Sequence, residues 1–493
     1  MPAFSLIVLQ IKIGGLMATS KALKAGIGYT VGNYLIKGIS FLTIPIFARL
    51  LPPSDYGIFN TYLAYESILY LFICLAVHTC LKNGKYKYQE SFSSFSSSCL
   101  LLICINFVIW LLLVNVLYPI IKIFTGYSLW IVNILIFHCL ASSILIFYNS
   151  YISLNFEYKP YLIVSALNAI GNVVLSVLLI HFVFTSSRYI GRILGTFVPL
   201  AVISVYVFVY FFRKAKPSIN KVYWDFALKF SLPLIPHGIS QVILSQFDRI
   251  MITKMIGEAE SGIYSFGYTI FSIVQITGAS VDSAWEPWFY KKMHENDYAS
   301  IKEKSSIVVV LMSLFMATIM LLSPELLKIL GTSAYKDSVY CVIPLVAGGF
   351  FAFLYNFPAG IEYYFEKTKF IMAGTIAAAI LNIILNYIFI KKFGYIAAAY
   401  TTLATYFLYF IFHCFLAKKI FSENVYSKKM LLLTSFFIFA ATAVSVFFLN
   451  IFVVRFLLAL LSIGLFIFYE EKKVGILRTK LKAKKMTGEC KNE

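Results

Sequence analysis

Apolar runs of about twenty residues, the length that crosses a bilayer as a helix, recur along the whole chain, and only short polar connections separate them. Fourteen such runs can be drawn: 26–48, 57–80, 96–118, 129–151, 161–184, 189–212, 230–256, 262–289, 306–326, 338–361, 371–390, 395–416, 430–449 and 452–469. None of the connections is long enough to hold a domain of its own. The pattern predicts an all-α polytopic membrane protein with about 14 transmembrane helices.

Composition agrees. Hydrophobic residues make up 60% of the 493 and charged residues 13%, with a mean hydropathy of +0.83. Soluble domains hold about 25% charged residues, so a soluble enzyme with one apolar tail is excluded. The eight cysteines show no CxxC spacing, and seven sit in apolar runs. They read as small hydrophobes rather than disulfide or zinc ligands, and no metal or cofactor is expected. The first residues lack a basic start and an A-x-A site, so no signal peptide is expected. Gly14-Gly15 ahead of Met17 fits a purine-rich ribosome-binding sequence, which places the expected translation start at Met17.

Forty-two Lys and Arg stand against 22 Asp and Glu, a formal charge of +20. Laid over fourteen crossings, thirty of the basic residues fall on the side of the N-terminus, nine on the other side and three within spans. That asymmetry is the positive-inside rule and predicts both termini in the cytoplasm. It absorbs most of the excess charge, so nucleic acid is not an expected partner. The basic tail can rest on anionic lipid headgroups or simply be solvated.

The chain also resembles itself. Asp55-Tyr56-Gly57 opens span two and Glu260-Ser261-Gly262 opens span eight, 205 residues later. Tyr189-Ile190-Gly191 opens span six and Tyr395-Ile396-Ala397 opens span twelve. Asn168-x3-Asn172 in span five parallels Asn382-x3-Asn386 in span eleven. Order and phase are kept, which predicts two parallel six-helix repeats plus two C-terminal helices. The expected organisation is an N-terminal cytoplasmic segment 1–25, a first bundle 26–213, a linker 214–229, a second bundle 230–418, two further helices within 430–469 and a basic tail 470–493. Parallel repeats related by an axis along the membrane normal mark transporters, with the substrate path between the halves.

Ionisable groups within spans are costly and face cavities or partners. Lys37 and Glu66 lie near the middle of spans one and two. They read either as a neutralising ion pair or as contacts to an anionic substrate. Asp248 and Arg249 are neighbours in span seven, about 100° apart around the helix, so each needs its own partner. Asp282 and Glu286 share a face of span eight and are candidates for ion coupling, since a carboxyl out of water can carry a proton. Glu362 and Glu366, at the end of span ten, read as interface charges, and Arg188 and Arg192, at the mouth of span six, as interfacial anchors. His78, His138, His181 and His237 are isolated. Pro45, Pro233 and Pro236 mark hinges in spans one and seven, because a proline frees backbone groups and bends a helix. No phosphate-binding loop and no hydrolase motif is present, so energy has to come from an ion gradient, the membrane potential or the substrate's own gradient.

These residues resemble a known family: the Wzx-type polysaccharide-biosynthesis flippases of the multidrug/oligosaccharidyl-lipid/polysaccharide exporter superfamily. The resemblance rests on Phe230-Ser-Leu-Pro233-Leu-Ile-Pro236, Asp248-Arg249, Gly262-Ile-Tyr264, Trp285-x-Pro287-Trp288, Leu381-Asn382-x3-Asn386, Phe393-Gly394 and Ala397-Ala-Ala-Tyr-Thr-Thr402. Arg49-Leu-Leu-Pro52 with Asp55-Tyr-Gly57 adds to it, and the likeness covers about 20–470. The family implies a flippase that moves an undecaprenyl-diphosphate-linked oligosaccharide from the cytoplasmic to the outer leaflet of a bacterial cell membrane, for capsule, O-antigen or exopolysaccharide. Membrane lipids are partners on this reading, as are a polysaccharide polymerase and glycosyltransferases. Many members carry an arginine near the end of span two. Here His78-Thr79-Cys80 stands there, and Lys82 and Lys85 are the nearest bases. A cationic path through Lys37 and Arg249 suits an anionic diphosphate. Two alternatives stay open: a cation-coupled multidrug exporter, for which those bases are unfavourable, and a lipid II flippase, which the sequence does not separate.

Overall fold

The computed structural model describes Gly28, Gly32, Gly38, Ile39 and residues 41 to 486, with side chains through Glu471. Every element among them is helical. Twelve helices are long and apolar enough to cross a membrane. Among the described residues they match the expected spans except the first, about half of which lies outside those residues, and the eighth. That eighth element is a continuous 37-residue helix, Glu258–His294. Its apolar run is diluted by Thr269, Ser272, Gln275 and Thr277, residues suited to a polar surface.

In chain order the helices are α1 (Ile44–Leu50), α2 (Pro53–Cys74), α3 (Leu81–Tyr88), α4 (Phe92–Val116), α5 (Tyr118–Thr125), α6 (Leu129–Leu154), α7 (Tyr158–Phe182), α8 (Arg188–Lys214), α9 (Lys221–Ser231), α10 (Ile235–Met255), α11 (Glu258–His294), α12 (Tyr298–Leu321), α13 (Ser323–Leu330), α14 (Val339–Leu354), α15 (Asn356–Tyr364), α16 (Thr368–Phe393), α17 (Ala397–Ile420), α18 (Lys428–Phe447) and α19 (Phe452–Met486). Two compact units result, one through Gly262 and one from Ile263. The division falls inside α11, one turn from its start.

In the first unit α2, α6 and α8 form the middle, α7 lies along α8, and α10 runs along α2. Apolar and aromatic side chains fill two cores. One gathers Phe95, Phe147, Tyr151 and Phe211, and the other Phe59, Tyr62, Leu135 and Ile193. In the second unit α14 is the central element. The span made of α14 and α15 is 83% buried, against 17% for the peripheral α19.

Proline acts where the pattern predicts. α9 stops at Ser231, a tight turn covers Leu232–Leu234, and α10 restarts at Ile235, so the seventh span breaks at Pro233 and Pro236. α1 likewise starts beside Pro45 after a turn at Thr43. The tenth span loses one helical hydrogen bond at Tyr355, between α14 and α15, where the backbone itself stays helical at φ −64° and ψ −23°. There Pro358 has no N–H to offer the Leu354 carbonyl four residues back.

Span two is shorter than expected. α2 ends at Cys74, not near 80, because Leu75 and Ala76 both take left-handed backbone, each at φ +51°. Such a conformation costs about 1 kcal/mol or more for a residue with a Cβ, so something must hold it. Asn106 of α4 does so. Its amide donates to the carbonyls of Phe72 at 2.8 Å and Ile73 at 2.9 Å, which the broken helix leaves open. Ala76→Gly should raise thermal stability by up to about 1 kcal/mol, whereas Asn106→Leu should lower it by about 1–3 kcal/mol. Melting of the purified protein in detergent reads both.

α19 is pinned by one buried cation. Arg455, 3% exposed, donates to Glu325 of α13 at 2.7 and 2.8 Å and to the Leu321 carbonyl at 2.7 Å. The pair is unequal, since the Glu325 side chain is 25% exposed. Glu325→Ala strands a buried guanidinium and should cost about 3 kcal/mol. Arg455→Met leaves a carboxylate that water can reach, and should cost clearly less in the same melting assay.

Candidate functional site

α2 carries Glu66 and α10 carries Asp248 and Arg249, and the two helices lie side by side. The two helices run in opposite directions. Near one end the Thr61 hydroxyl meets the Thr253 hydroxyl at 2.6 Å. Further along, Gly238 lies against Leu71.

Arg249 is 5% exposed and Asp248 fully buried. The Arg249 guanidinium donates to the Ser245 carbonyl at 2.9 Å and the Gln246 side-chain oxygen at 2.7 Å, which holds it back along its own helix. Glu66 accepts from Ser142 of α6. Beside it, Tyr62 shares a hydrogen bond of 3.1 Å with His138 Nδ1, so this buried histidine is a satisfied polar group. No ion pair joins Arg249 to Glu66 among the described residues: the guanidinium is held by its own helix and the carboxylate by α6. Lys37, the third member of the expected path, lies outside the described residues.

The other candidates belong to the second unit. Asp282 accepts from the Asn356 amide at 2.6 Å, next to Tyr355. Glu286, one turn on, is exposed. The two do not act as matched partners.

The start of α2 approaches the start of α11 more closely than side chains allow. A Cβ on Gly57 would collide with the Glu258 carbonyl and the Gly262 nitrogen. One on Gly262 would collide with the Pro53 carbonyl and the Gly57 nitrogen. The contact is reciprocal at the repeat interval of 205 residues, Pro53 answering to Glu258 and Gly57 to Gly262. The two copies of the motif therefore meet each other across a local two-fold relation. Thr61 reaches Ser261 at 3.4 Å in the same seam, and Ser261 donates to the Arg249 carbonyl at 3.2 Å. The seam is thus bonded directly to the arginine-bearing turn.

Two expectations need correction. Arg192 is no interfacial anchor. Its guanidinium donates to Asn172 and to Ser176 at 2.8 Å and lies over the rings of Phe47 at 3.7 Å and Phe59 at 4.7 Å, tying α1, α2 and α7 to α8 through cation–π and amide contacts. Its Asn172 corresponds to Asn386 in the second repeat, which Thr401 of α17 binds in the same way. Glu362 is no interface charge either. It is fully buried and bonded to His413 at 2.7 Å, a histidine that the sequence reading passed over. Its only signal was its place in an otherwise apolar span.

A family model described as polysaccharide biosynthesis protein matches residues 22–293, more than half of the chain. The chain belongs to the polysaccharide biosynthesis protein family. A second model, MatE, matches residues 233–388 of this family member. Among its relatives, "Lsg locus putative protein 1" of Haemophilus influenzae is 24% identical over 381 residues, covering 74% of this chain and 90% of the relative. An uncharacterized membrane protein of Methanocaldococcus jannaschii is 24% identical over 452 residues, covering 84% and 87%. The fold is that of the lipid II flippase MurJ in an inward closed conformation, with TM-score 0.69 and 14% identity over 92% of this chain and 99% of that one. It is also that of an inward-facing multidrug resistance MATE transporter, with TM-score 0.59 and 14% identity over 78% and 94%. The family member is thus a multi-pass membrane protein, with the fold that a lipid II flippase and a MATE transporter share.

The reciprocal seam makes a prediction. Gly57→Ala and Gly262→Ala each push backbone against backbone, and each should cost about 1–3 kcal/mol. Once either has parted the helices the second has little left to break, so the double variant should cost less than the sum. Melting midpoints of the three variants test this.

Proposed function

We propose that this transporter carries an undecaprenyl-diphosphate-linked oligosaccharide from the cytoplasmic to the outer leaflet for surface polysaccharide synthesis. The observation that supports it most is a buried arginine, Arg249, on the helix pair of a polysaccharide-biosynthesis family member. A diphosphate is doubly anionic, and a preplaced guanidinium lowers the cost of moving it through a low-dielectric region. The glycan needs a wetted, hydrogen-bonding surface, and the prenyl chain can stay in lipid.

In this reading Lys37 and Arg249 contact the diphosphate, with Asp248 and Glu66 beside them as polar partners. The six-helix repeats 26–213 and 230–418 rock about Pro45, Pro233 and Pro236, and the 214–229 linker joins them. Asp282 and Glu286 remain the candidates for ion coupling named from sequence. The basic loops face the cytoplasm with both termini, the membrane is the cytoplasmic membrane, and polymerase and glycosyltransferases act after and before the transport step. The fold shared with a lipid II flippase supports a lipid-linked glycan in general. The fold shared with a multidrug transporter keeps drug export as the second reading.

Leaflet exposure of lipid-linked oligosaccharide, probed in spheroplasts with a membrane-impermeant lectin, tests the proposal. Loss of the protein should trap the glycan inside. Lys37→Gln and Arg249→Gln should each cut exposure by about 10- to 100-fold, the worth of a charged hydrogen bond of about 1.5–3 kcal/mol. Unchanged exposure together with new drug sensitivity would establish the exporter instead.

A further inference from the structure

The second unit contains a buried acid–base pair that the transport reading leaves unused. Glu362 of α15 and His413 of α17 are both 0% exposed, and His413 Nδ1 lies 2.7 Å from Glu362 Oε1. The far atom of each, Glu362 Oε2 and His413 Nε2, is buried with no hydrogen-bond partner. Aromatic rings close the surroundings. Tyr409 stands edge-on to the imidazole at 4.4 Å, Tyr355 lies 5.6 Å away, and Phe412 5.3 Å. The Tyr409 hydroxyl is bonded to Thr375 of α16 at 2.8 Å rather than to the pair. Gly374, next to Thr375, keeps space beside the imidazole. A Cβ there would stand 3.4 Å from His413 Nε2 and 2.7 Å from the Phe412 ring.

As a structural fastener this pair is poor. Two charges out of water with one bond between them and two idle atoms do no better than apolar side chains of the same size. As a proton site it is well built. With one proton shared between imidazole and carboxylate, the pair is neutral overall. With none it carries −1, and with two it carries +1. The pair's net charge therefore changes with each proton it gains or loses.

We propose that Glu362 and His413 form a proton-binding site whose occupancy is coupled to the transport cycle. The proton comes from water on one side and returns to water on the other. Only an N–H or O–H bond forms and breaks, and the transported substrate is unchanged. The pair sits where a proton can do mechanical work. α15, which carries Glu362, follows α14 after the single residue Tyr355, where Pro358 withholds one helical hydrogen bond, while His413 stands on the continuous α17. Changing the charge of the pair changes how strongly α15 is held to α17. The other titratable groups facing it are Tyr355, Tyr363, Tyr409 and Cys414. Glu286 of α11 faces Tyr363, and Lys369 on α16 is exposed. No lysine or arginine pairs with either member among the described residues. Phenols and thiols do not ordinarily change charge between pH 5 and 8, whereas an imidazole does.

The inference rests on the transport reading only for what the proton drives, so two measurements separate the parts. In the first, the full chain in lipid nanodiscs is taken from about pH 8 to about pH 5, and proton uptake is followed with an indicator dye. The double variant Glu362→Gln/His413→Gln should take up about one proton fewer per chain than the wild type, and the infrared bands of the imidazole and carboxylate should vanish from its difference spectrum. Glu362→Gln alone keeps an oxygen to accept from Nδ1, so it covers the case in which the double variant does not fold. A folded variant with undiminished uptake would overturn the proton site.

In the second, leaflet exposure is measured with and without a protonophore. Wild-type exposure should fall several-fold, to the level of the double variant, which should not respond. A variant that responds like the wild type would overturn the coupling. If no lectin difference separates cells with and without the protein, the glycan reading fails, while the uptake measurement still decides the proton site.

Discussion

A hydrocarbon solvent offers a backbone group nothing to bond to, and it gives apolar helices no reason to associate. Both halves of that constraint are visible here. Every described element is helical, and helices meet through small residues and polar bonds rather than through greasier side chains. Gly57 against Gly262, Thr61 with Thr253, Asn172 with Arg192, Asn386 with Thr401 and Arg455 with Glu325 are the joints. Where a helix breaks, a neighbour takes over the freed carbonyls, as Asn106 does for the end of α2. Phe and Leu fill the rest, toward lipid and between rings, with little say in which helix lies beside which.

The duplication gives one of these joints a special standing. The motif Asp55-Tyr56-Gly57 and its copy Glu260-Ser261-Gly262 face each other, so the surface that each repeat presents is complementary to itself. A gene duplicated in parallel supplies such a contact without further invention, because one patch that can pack on its own image suffices. The seam then passes through Ser261 to the turn bearing Arg249. A charge at mid-depth and a backbone contact at the helix ends are mechanically one unit.

Much of this was legible in the sequence, for a physical reason. Bilayer thickness fixes the length of an apolar run, so the span boundaries match the helices closely. The exceptions are instructive. Span two was drawn past its true end because hydropathy does not register the left-handed turn at Leu75 and Ala76. The pairing of the two glycine motifs was recognisable as repetition but not as contact. Arg192 and Glu362 were read as interface charges because both stand near the ends of apolar runs, where most charges meet headgroups. Whether such a residue turns outward or inward depends on a partner from another helix, Asn172 in one case and His413 in the other. Those partners lie 20 and 51 residues away, and no local pattern announces them.

The same logic separates the carboxylates by task. Glu325 is matched by a guanidinium that binds both its oxygens, which suits permanence. Glu66, with no cation paired to it among the described residues, accepts from the Ser142 hydroxyl of the neighbouring α6. Glu362 has one oxygen bonded and one idle, opposite a base whose own far nitrogen is idle, and it is carried on α15, just beyond the helical hydrogen bond that Pro358 removes. An element meant only to hold would fill those two valences. On the proposal above, leaving them open makes the bond between α15 and α17 depend on a single proton, the kind of bond through which a gradient could be drawn on without hydrolysis.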